Sequence, residues 1–288
     1  MANVGSSVLA SSIADLLNAR VLFVCESYFD NGELNLSFGS DLSHQDVIVV
    51  QTFTLVNSDL LMAFFILMDA IFHSNPRRVR LVIPYLPYSR SDRSVGHSQV
   101  ISIRAVAGLL KGFDLQGIYT VDLHSTAALD FFDGGLHQLY AAPLWANCFY
   151  RGEIDYVVSP DQGGQDRASR VADLLACDVI TMCKTRLSNQ SVSCQFSLDG
   201  LPQGHVVIVD DVMSSGSTVF SCAEILLASG FKVSVCVTHV FAEIDALMSL
   251  VKIGVDKVIV TDTVARKDLP GFVEVLTVAP LLAHSLVQ

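Results

Sequence analysis

The sequence is short of charge. Asp, Glu, Lys and Arg make up 16% of its 288 residues, against 51% hydrophobic. Such a balance points to a large core or to broad subunit interfaces. Positive charge is the scarcer sign: 18 Lys and Arg face 29 Asp and Glu, a formal net charge of −11 with no basic run. That excludes nucleic acid as the main partner, since phosphate-backbone binding needs a positive face. Nucleotides stay open, because they need only local positive charge. Paired cysteine motifs are absent as well. The seven Cys, at 25, 148, 177, 183, 194, 222 and 236, include no C-x-x-C and are odd in number. Reduced thiols of a cytosolic protein fit this better than a disulfide frame or a zinc site. Long apolar runs are missing too: Leu60 to Met68 is too short to span a bilayer and ends at Asp69. No basic segment opens the chain, and Asp15 interrupts its first apolar stretch. The expected setting is therefore cytoplasmic, with no membrane contact.

What is there is organised around one stretch, Val206 to Thr218, VVIVDDVMSSGST. Val206 to Val209, entered from His205, is short, apolar and β-branched, and reads as a buried parallel strand. Asp210 and Asp211 stand at its expected C-terminal end. Small residues follow, Ser214, Ser215, Gly216, Ser217 and Thr218, then a helix over Val219–Ser229 closed by Gly230. Ligands of open α/β sheets bind beyond the carboxyl ends of strands. Small residues let backbone N–H groups approach an anion, and the helix N-terminus adds partial positive charge. Two carboxylates can accept hydrogen bonds from a sugar diol. The stretch reads as a cradle for ribose and phosphate, or as an ordinary strand–turn–helix with a Ser-rich cap. The adjacent like charges favour the cradle, because they are costly without a cation or donors.

A chain of this length suggests about two domains. The first half reads as strands over Val21–Cys25, Leu34–Phe38, Asp46–Gln51, Val79–Ile83 and Gly117–Val121, with helices over Asn57–Phe72 and Val100–Lys111. The second half repeats the rhythm, with strands over Tyr156–Val158, Val206–Val209, Val233–Val237 and Val258–Val260 and a helix over Arg167–Leu175. This alternation predicts an α/β protein with two mostly parallel sheets flanked by helices, covering 1–147 and 148–288, the only Trp, Trp145, lying near the boundary.

Four further clusters carry polar residues that a core has no use for. Pro84 to Arg93 holds Arg90 and Arg93, which can clamp phosphates while a Tyr packs a ring, or else form a solvated loop with an internal Arg–Asp pair. Asp122 and His124 are expected on one side of a strand end, where they can hold Mg²⁺ or meet phosphate, although a lone His is more often structural. Ser159-Pro160-Asp161-Gln162-Gly163-Gly164 offers a carboxylate and a Gly-Gly loop, or a plain βα turn. Lys184 and Arg186 precede a polar stretch, as cations on a mobile loop would for phosphoryl transfer, or as a surface hairpin would.

In order along the chain, Phe29-Asp30-Asn31-Gly32-Glu33, Pro84 to Arg93, Asp122-Leu123-His124, Ser159 to Gly164, Lys184-x-Arg186 and Asp210 to Thr218 resemble the ribose-phosphate pyrophosphokinase (PRPP synthetase) family. Thr238 to Phe241, Val260 to Thr263 and Val278 to Ala283 extend the resemblance over nearly the whole chain. It implies two tandem phosphoribosyltransferase-like domains. It also implies transfer of the β,γ-pyrophosphoryl group of Mg-ATP to the 1-hydroxyl of ribose 5-phosphate, giving PRPP and AMP. Phe29, Asn31 and Glu33 would then line an adenine site completed by a neighbouring subunit, with Arg90, Ser91, Asp92, Arg93 and His124 also binding ATP. Asp122, His124 and Asp161 would attend Mg²⁺, and Lys184 and Arg186 would be the catalytic cations. Asp210 and Asp211 would take the ribose diol, with Ser214 to Thr218 around the 5′-phosphate. A homo-oligomer built on dimers, a hexamer among the options, is expected with it.

The chain departs from the family pattern in places. Ser91 stands where Gln is usual, Ser94 where Lys is usual, and Ser214-Ser215-Gly216-Ser217-Thr218 where the loop is usually Asp-Thr-Gly-Gly-Thr. Asp130 and His137 are further departures. Loss of the loop carboxylate leaves open a 5′-extended acceptor such as ADP-ribose. A non-catalytic partner of an active synthetase, and a transferase consuming PRPP, are the other classes.

Overall fold

The computed structural model describes residues 6–53, 58–93, 100–186, 192–195 and 201–288, with side chains left undescribed over 183–186 and 192–195. The chain forms two compact units, one of residues 1–139, 263–265 and 277–288 and the other of 140–262 and 266–276.

The first unit opens with helix α1 (Ser7–Leu17), which buries Leu9, Ala10, Ile13 and Ala14. Strands β1 (Cys25–Tyr28) and β2 (Leu34–Ser37) form an antiparallel hairpin, Tyr28 opposite Leu34. A parallel sheet follows, in the order β3 (Asp46–Val50), β4 (Arg78–Val82), β5 (Gly117–Val121), β6 (Leu136–Leu139). Helix α2 (Ser58–His73) and helix α3 (Ser102–Leu110) connect the strands. The core gathers Val49, Leu81, Ile83, Met68, Ile71 and Ile103. The first strand starts at Cys25 rather than Val21, because pairing with β2, not the apolar run, decides where it begins. Helix α3 starts two residues later than its apolar pattern suggests. The Ser91 hydroxyl donates to the Val100 carbonyl at 2.9 Å and accepts from the Ser102 N–H at 3.2 Å, holding Val100 outside the helix.

The second unit begins with the short helix α4 (Ala142–Ala146), then β7 (Tyr156–Ser159), α5 (Gln165–Leu175) and β8 (Asp178–Thr181). Strands β9 (Cys183–Arg186) and β10 (Val192–Gln195) pair as a hairpin, Lys184 opposite Cys194 and Arg186 opposite Val192. Then come β11 (His205–Met213), α6 (Ser217–Ala228), β12 (Lys232–Val240), α7 (Ile244–Lys252), β13 (Lys257–Thr261) and β14 (Val273–Leu276). The sheet is parallel, ordered β14-β13-β12-β11-β7-β8. The chain goes outward from β7 to β8 and then returns to the other side of β7. The switch point lies between β7 and β11, where open α/β sheets leave a crevice at the strands' carboxyl ends. Helix α8 (Ala279–Leu286) returns to the first unit and packs on α1. Of all these elements, α1, β6, α4, β8, α7, β14 and α8 were not evident from the sequence pattern. No helix among the described residues is long and apolar enough to cross a membrane.

At the entry to β11 sits a buried histidine. The His205 ring meets Ser234 Oγ at 2.8 Å, and its backbone N–H donates to Asp155 Oδ2 at 2.7 Å. Burial, then Lys232, pushes its pKa below the ordinary value, and the nearby Asp256 and Glu153 only partly offset this. The folded chain therefore keeps this ring neutral, whereas the unfolded chain takes up a proton below about pH 6.5. Stability present above that pH should fall as the solution is acidified toward the folded value. Urea midpoints at pH 7.5 and 5.5 check this: His205→Gln should show a smaller drop than the wild type.

Candidate functional site

Strand β11 is four residues longer than its apolar run. Asp210 and Asp211 therefore lie inside it, not beyond its end. The reason is β12, whose buried run through Val240 offers pairing as far as Met213, with Asp210 opposite Val237 and Val212 opposite His239. Successive strand residues normally point to opposite faces. Here Asp210 Oδ1 turns back to accept the Asp211 N–H at 2.9 Å, which brings the two carboxylates toward a common partner. Their side chains are 16% and 6% exposed. Burial raises the Asp210 pKa well above its ordinary value. The Asp211 charge adds to that rise, and Arg167 opposes it.

The loop after β11 turns on Gly216, at φ +79°. A Cβ there would be strained by that backbone and would come 2.6 Å from Met213 Cε. Gly216 is also the N-cap of α6, and no side chain caps the helix at that position. The Ser-rich cap of the alternative reading is thus not formed at that position, which a glycine holds. The Ser215 hydroxyl instead lies 3.1 Å from Ser217 Oγ and accepts the Ser217 N–H at 3.4 Å. Ser214, Ser215 and Ser217 are exposed, Thr218 is half-buried, and a 12-residue helix starts behind them. That arrangement suits an anion with several oxygens.

Across the switch point, the loop after β7 is built on Asp161. Its Oδ1 accepts the Gly164 N–H at 3.1 Å, and the Ser159 hydroxyl donates to the Asp161 carbonyl at 2.7 Å. Gly164 is fully packed: a Cβ would lie 2.7 Å from Ser159 Oγ and 3.3 Å from Arg167 Nη1. Arg167 leaves the first turn of α5 here. Its Nη1 stands 3.8 Å from Asp210 Oδ1 and its Nη2 3.4 Å from Asp211 Oδ1, with the side chain 11% exposed. Sequence reading missed Arg167. One arginine in an amphipathic helix makes no pattern. The available signal was the need of two adjacent carboxylates for a cation.

In the first unit, Arg93 joins two of the expected clusters. Its Nη2 donates to Ser125 Oγ at 3.2 Å, one residue past His124. Asp92 is buried to 8% side-chain exposure, with Arg93 Nε 3.8 Å from Oδ2, an oxygen that accepts no hydrogen bond among the described residues. Arg90 is exposed, and the Ser91 hydroxyl is committed to the start of α3. Asp122 and His124 differ in exposure. Asp122 leaves β5 with φ +39° and is buried, while His124 is exposed, because the left-handed turn ends strand alternation at Val121. Asp130 is exposed, and His137 stacks on Tyr119 with ring centroids 4.9 Å apart.

Phe29, Asn31 and Glu33 are exposed at the tip of the β1–β2 hairpin. The Asn31 side chain accepts the Glu33 N–H at 3.2 Å, and Gly32, at φ +86°, closes the turn. Ser94 and the Lys184 and Arg186 side chains lie outside what the structure describes. Among the described residues, no group of three or more His, Cys, Asp or Glu could by itself hold a metal ion. A cavity of about 380 Å³ in the first unit, between α1 and β3, contains none of the expected site residues.

A parallel sheet with a carboxylate pair at its switch point and a small-residue loop before a helix defines a phosphoribosyl-handling α/β domain. Comparison with known proteins agrees. Residues 140–264 match the phosphoribosyl transferase domain family, and residues 2–113 match the N-terminal domain of ribose phosphate pyrophosphokinase. The chain is 32% identical to the ribose-phosphate pyrophosphokinase of Methanothermobacter thermautotrophicus over 279 residues, 96% of each chain. It is also 32% identical to that of Granulibacter bethesdensis, covering 96% of this chain and 92% of the relative. The crystal structure of phosphoribosylpyrophosphate synthetase from Mycobacterium smegmatis superposes with a TM-score of 0.88 at 28% identity, covering 100% of this chain and 97% of the other. The chain belongs to the ribose-phosphate pyrophosphokinase family, and it is an enzyme, a transferase of nucleotide biosynthesis.

Proposed function

We propose that the enzyme transfers the β,γ-pyrophosphoryl group of Mg-ATP to the 1-hydroxyl of ribose 5-phosphate. A bond forms between that oxygen and the β-phosphorus, the bond from the β-phosphorus to the α,β-bridging oxygen breaks, and AMP leaves as PRPP forms. The observation that carries this reading is the carboxylate pair Asp210–Asp211 at the sheet's switch point, next to a small-residue loop and a helix start. It provides acceptors for a sugar diol and donors for a phosphate.

Asp210 and Asp211 would take the diol, and Ser214 to Thr218 the 5′-phosphate. Phe29, Asn31, Glu33, Arg90, Asp92, Arg93 and His124 would meet the nucleotide, and Lys184 and Arg186 the transferring group. The orphaned Asp92 oxygen suits a donor on the nucleotide. Ser91 is the weakest of the expected contacts, since its hydroxyl already bridges Val100 and Ser102. Mg²⁺ that arrives on polyphosphate needs only one or two protein oxygens. The half-buried Asp161 carboxylate at the β7 loop fits that demand better than the imidazole of His124. When bound, the ion would neutralise charge on the phosphates. The exposed aromatic tip of the hairpin, Tyr28 and Phe29, supports a homo-oligomer.

A second reading keeps the chemistry and changes the acceptor. The Ser214–Thr218 loop offers hydroxyls and no carboxylate to the 5′ end, which a pyrophosphate-linked extension such as that of ADP-ribose tolerates. One assay decides between the two. With Mg-ATP and equal ribose 5-phosphate or ADP-ribose, AMP release should be metal-dependent and faster, by kcat/KM, with ribose 5-phosphate. Preference for ADP-ribose overturns the first reading, and AMP release from neither overturns both.

A further inference from the structure

Arg167 is a cation where helix physics disfavours one. It is the third residue of α5, at the positive end of the helix dipole, where acidic side chains are the stabilising choice. It is also 11% exposed, so its charge has left most of its water. Neither feature helps the helix. Both are accounted for by what the guanidinium faces: Nη1 toward Asp210 and Nη2 toward Asp211. The distances, 3.8 and 3.4 Å, are those of an ion pair, longer than the ~2.7–2.9 Å of a tight charged fork. Arg167 therefore pairs one guanidinium nitrogen with each carboxylate as an ion pair, looser than a tight hydrogen-bonded fork. Gly164 keeps the space in which this arginine lies, with its virtual Cβ 3.3 Å from Nη1.

We propose that Arg167 is a positioning residue for the acceptor, holding the Asp210 and Asp211 carboxylates side by side so that they receive the two vicinal hydroxyls of a ribose. The inference rests on the reading of this site as a ribose site. It does not depend on what is attached at the 5′ position, since ribose 5-phosphate and ADP-ribose present the same diol. Arg167 itself touches neither substrate. Its contribution passes through the aspartates and is lost when the diol is incomplete.

The test compares ribose 5-phosphate with 2-deoxyribose 5-phosphate, by calorimetric binding and by AMP release, in wild type, Arg167→Gln and Arg167→Lys. Losing charge-assisted hydrogen bonds to a diol is worth about tenfold or more in affinity. Arg167→Gln should weaken ribose 5-phosphate binding by that factor and 2-deoxyribose 5-phosphate much less, so that discrimination between the two sugars collapses. In turnover, KM for the acceptor should rise while KM for ATP stays put. Arg167→Lys should recover part of the discrimination, because one ammonium cannot span both carboxylates as a fork does. A purely structural role would weaken both sugars alike. An unchanged ribose-to-deoxyribose ratio in a folded Arg167→Gln chain overturns the inference. If that chain does not fold, an unchanged ratio in Arg167→Lys overturns it equally. Wild type that binds the acceptor without releasing AMP sinks the pyrophosphoryl-transfer reading but leaves the sugar ratio to decide the role of Arg167. Wild type that binds neither ribose 5-phosphate nor ADP-ribose overturns both.

Discussion

Alanine at Lys184 or at Arg186 should lower kcat by about 10²–10³-fold or more, the cost of removing one donor aimed at charge that develops in the transition state. In phosphoryl transfer the protein does little covalent work. Charge spreads over the oxygens of the moving group, and fixed cations stabilise it where it appears. The two residues occupy alternate positions of β9, a hairpin strand outside the six-stranded sheet. Thermal melts of both variants should therefore match the wild type. Because the interaction grows toward the transition state, kcat and kcat/KM should fall together, with acceptor binding little changed. On that assignment the double variant should lose less than the product of the single losses, since both cations would serve one charge. Rapid-quench measurement of AMP formation, with calorimetry for acceptor affinity, checks each point. Near-wild-type kcat in either single variant removes the catalytic assignment.

How much of this was legible in the residues depended on whether neighbours in sequence decided the outcome. Val206 to Val209 is buried on both faces, so its apolar run announced a central strand. The same rule failed at Asp210 to Met213, where the strand continues because β12 is long enough to pair with it. Strand β14, with the sequence Val-Glu-Val-Leu, lies at the sheet edge and is half exposed, so its pattern is too weak to stand out. The turn at Asn31-Gly32 was legible, because Gly32 supplies the positive φ and Asn31 bonds two residues on. The positive φ of Asp122 was not legible, because nothing in the residues next to it requires a left-handed turn at the strand end. The brace that Ser91 gives the start of α3 was not legible, because it is set by a partner nine residues away. Arg167 was invisible because its meaning lies in two carboxylates that are more than forty residues downstream.

Asp210→Asn should make the enzyme more stable and less active. Burial and the neighbouring Asp211 push the Asp210 carboxyl well above its ordinary pKa, so the folded chain disfavours its ionised form relative to the unfolded chain. The sign follows from linkage: a carboxyl whose folded pKa is raised above its unfolded value costs stability above the unfolded value, and the cost is relieved as pH falls. An amide of the same shape removes that cost at all pH values, and it also removes a like-charge contact. Thermal or urea midpoints of Asp210→Asn should therefore rise at pH 8, and the gap from wild type should narrow toward pH 5. Activity should move the other way, with acceptor kcat/KM falling about tenfold to a hundredfold, the range for one hydrogen bond to a charged group. Asp211→Asn should lose activity without the gain in stability, because Asp211 is the carboxylate nearer Arg167 and its loss leaves a largely buried guanidinium short of its closer counter-charge. Two variants one residue apart would then differ in the sign of their stability change while sharing the direction of their activity change. Equal destabilisation of both would mean that the pair serves the fold and does not hold strain for the ligand.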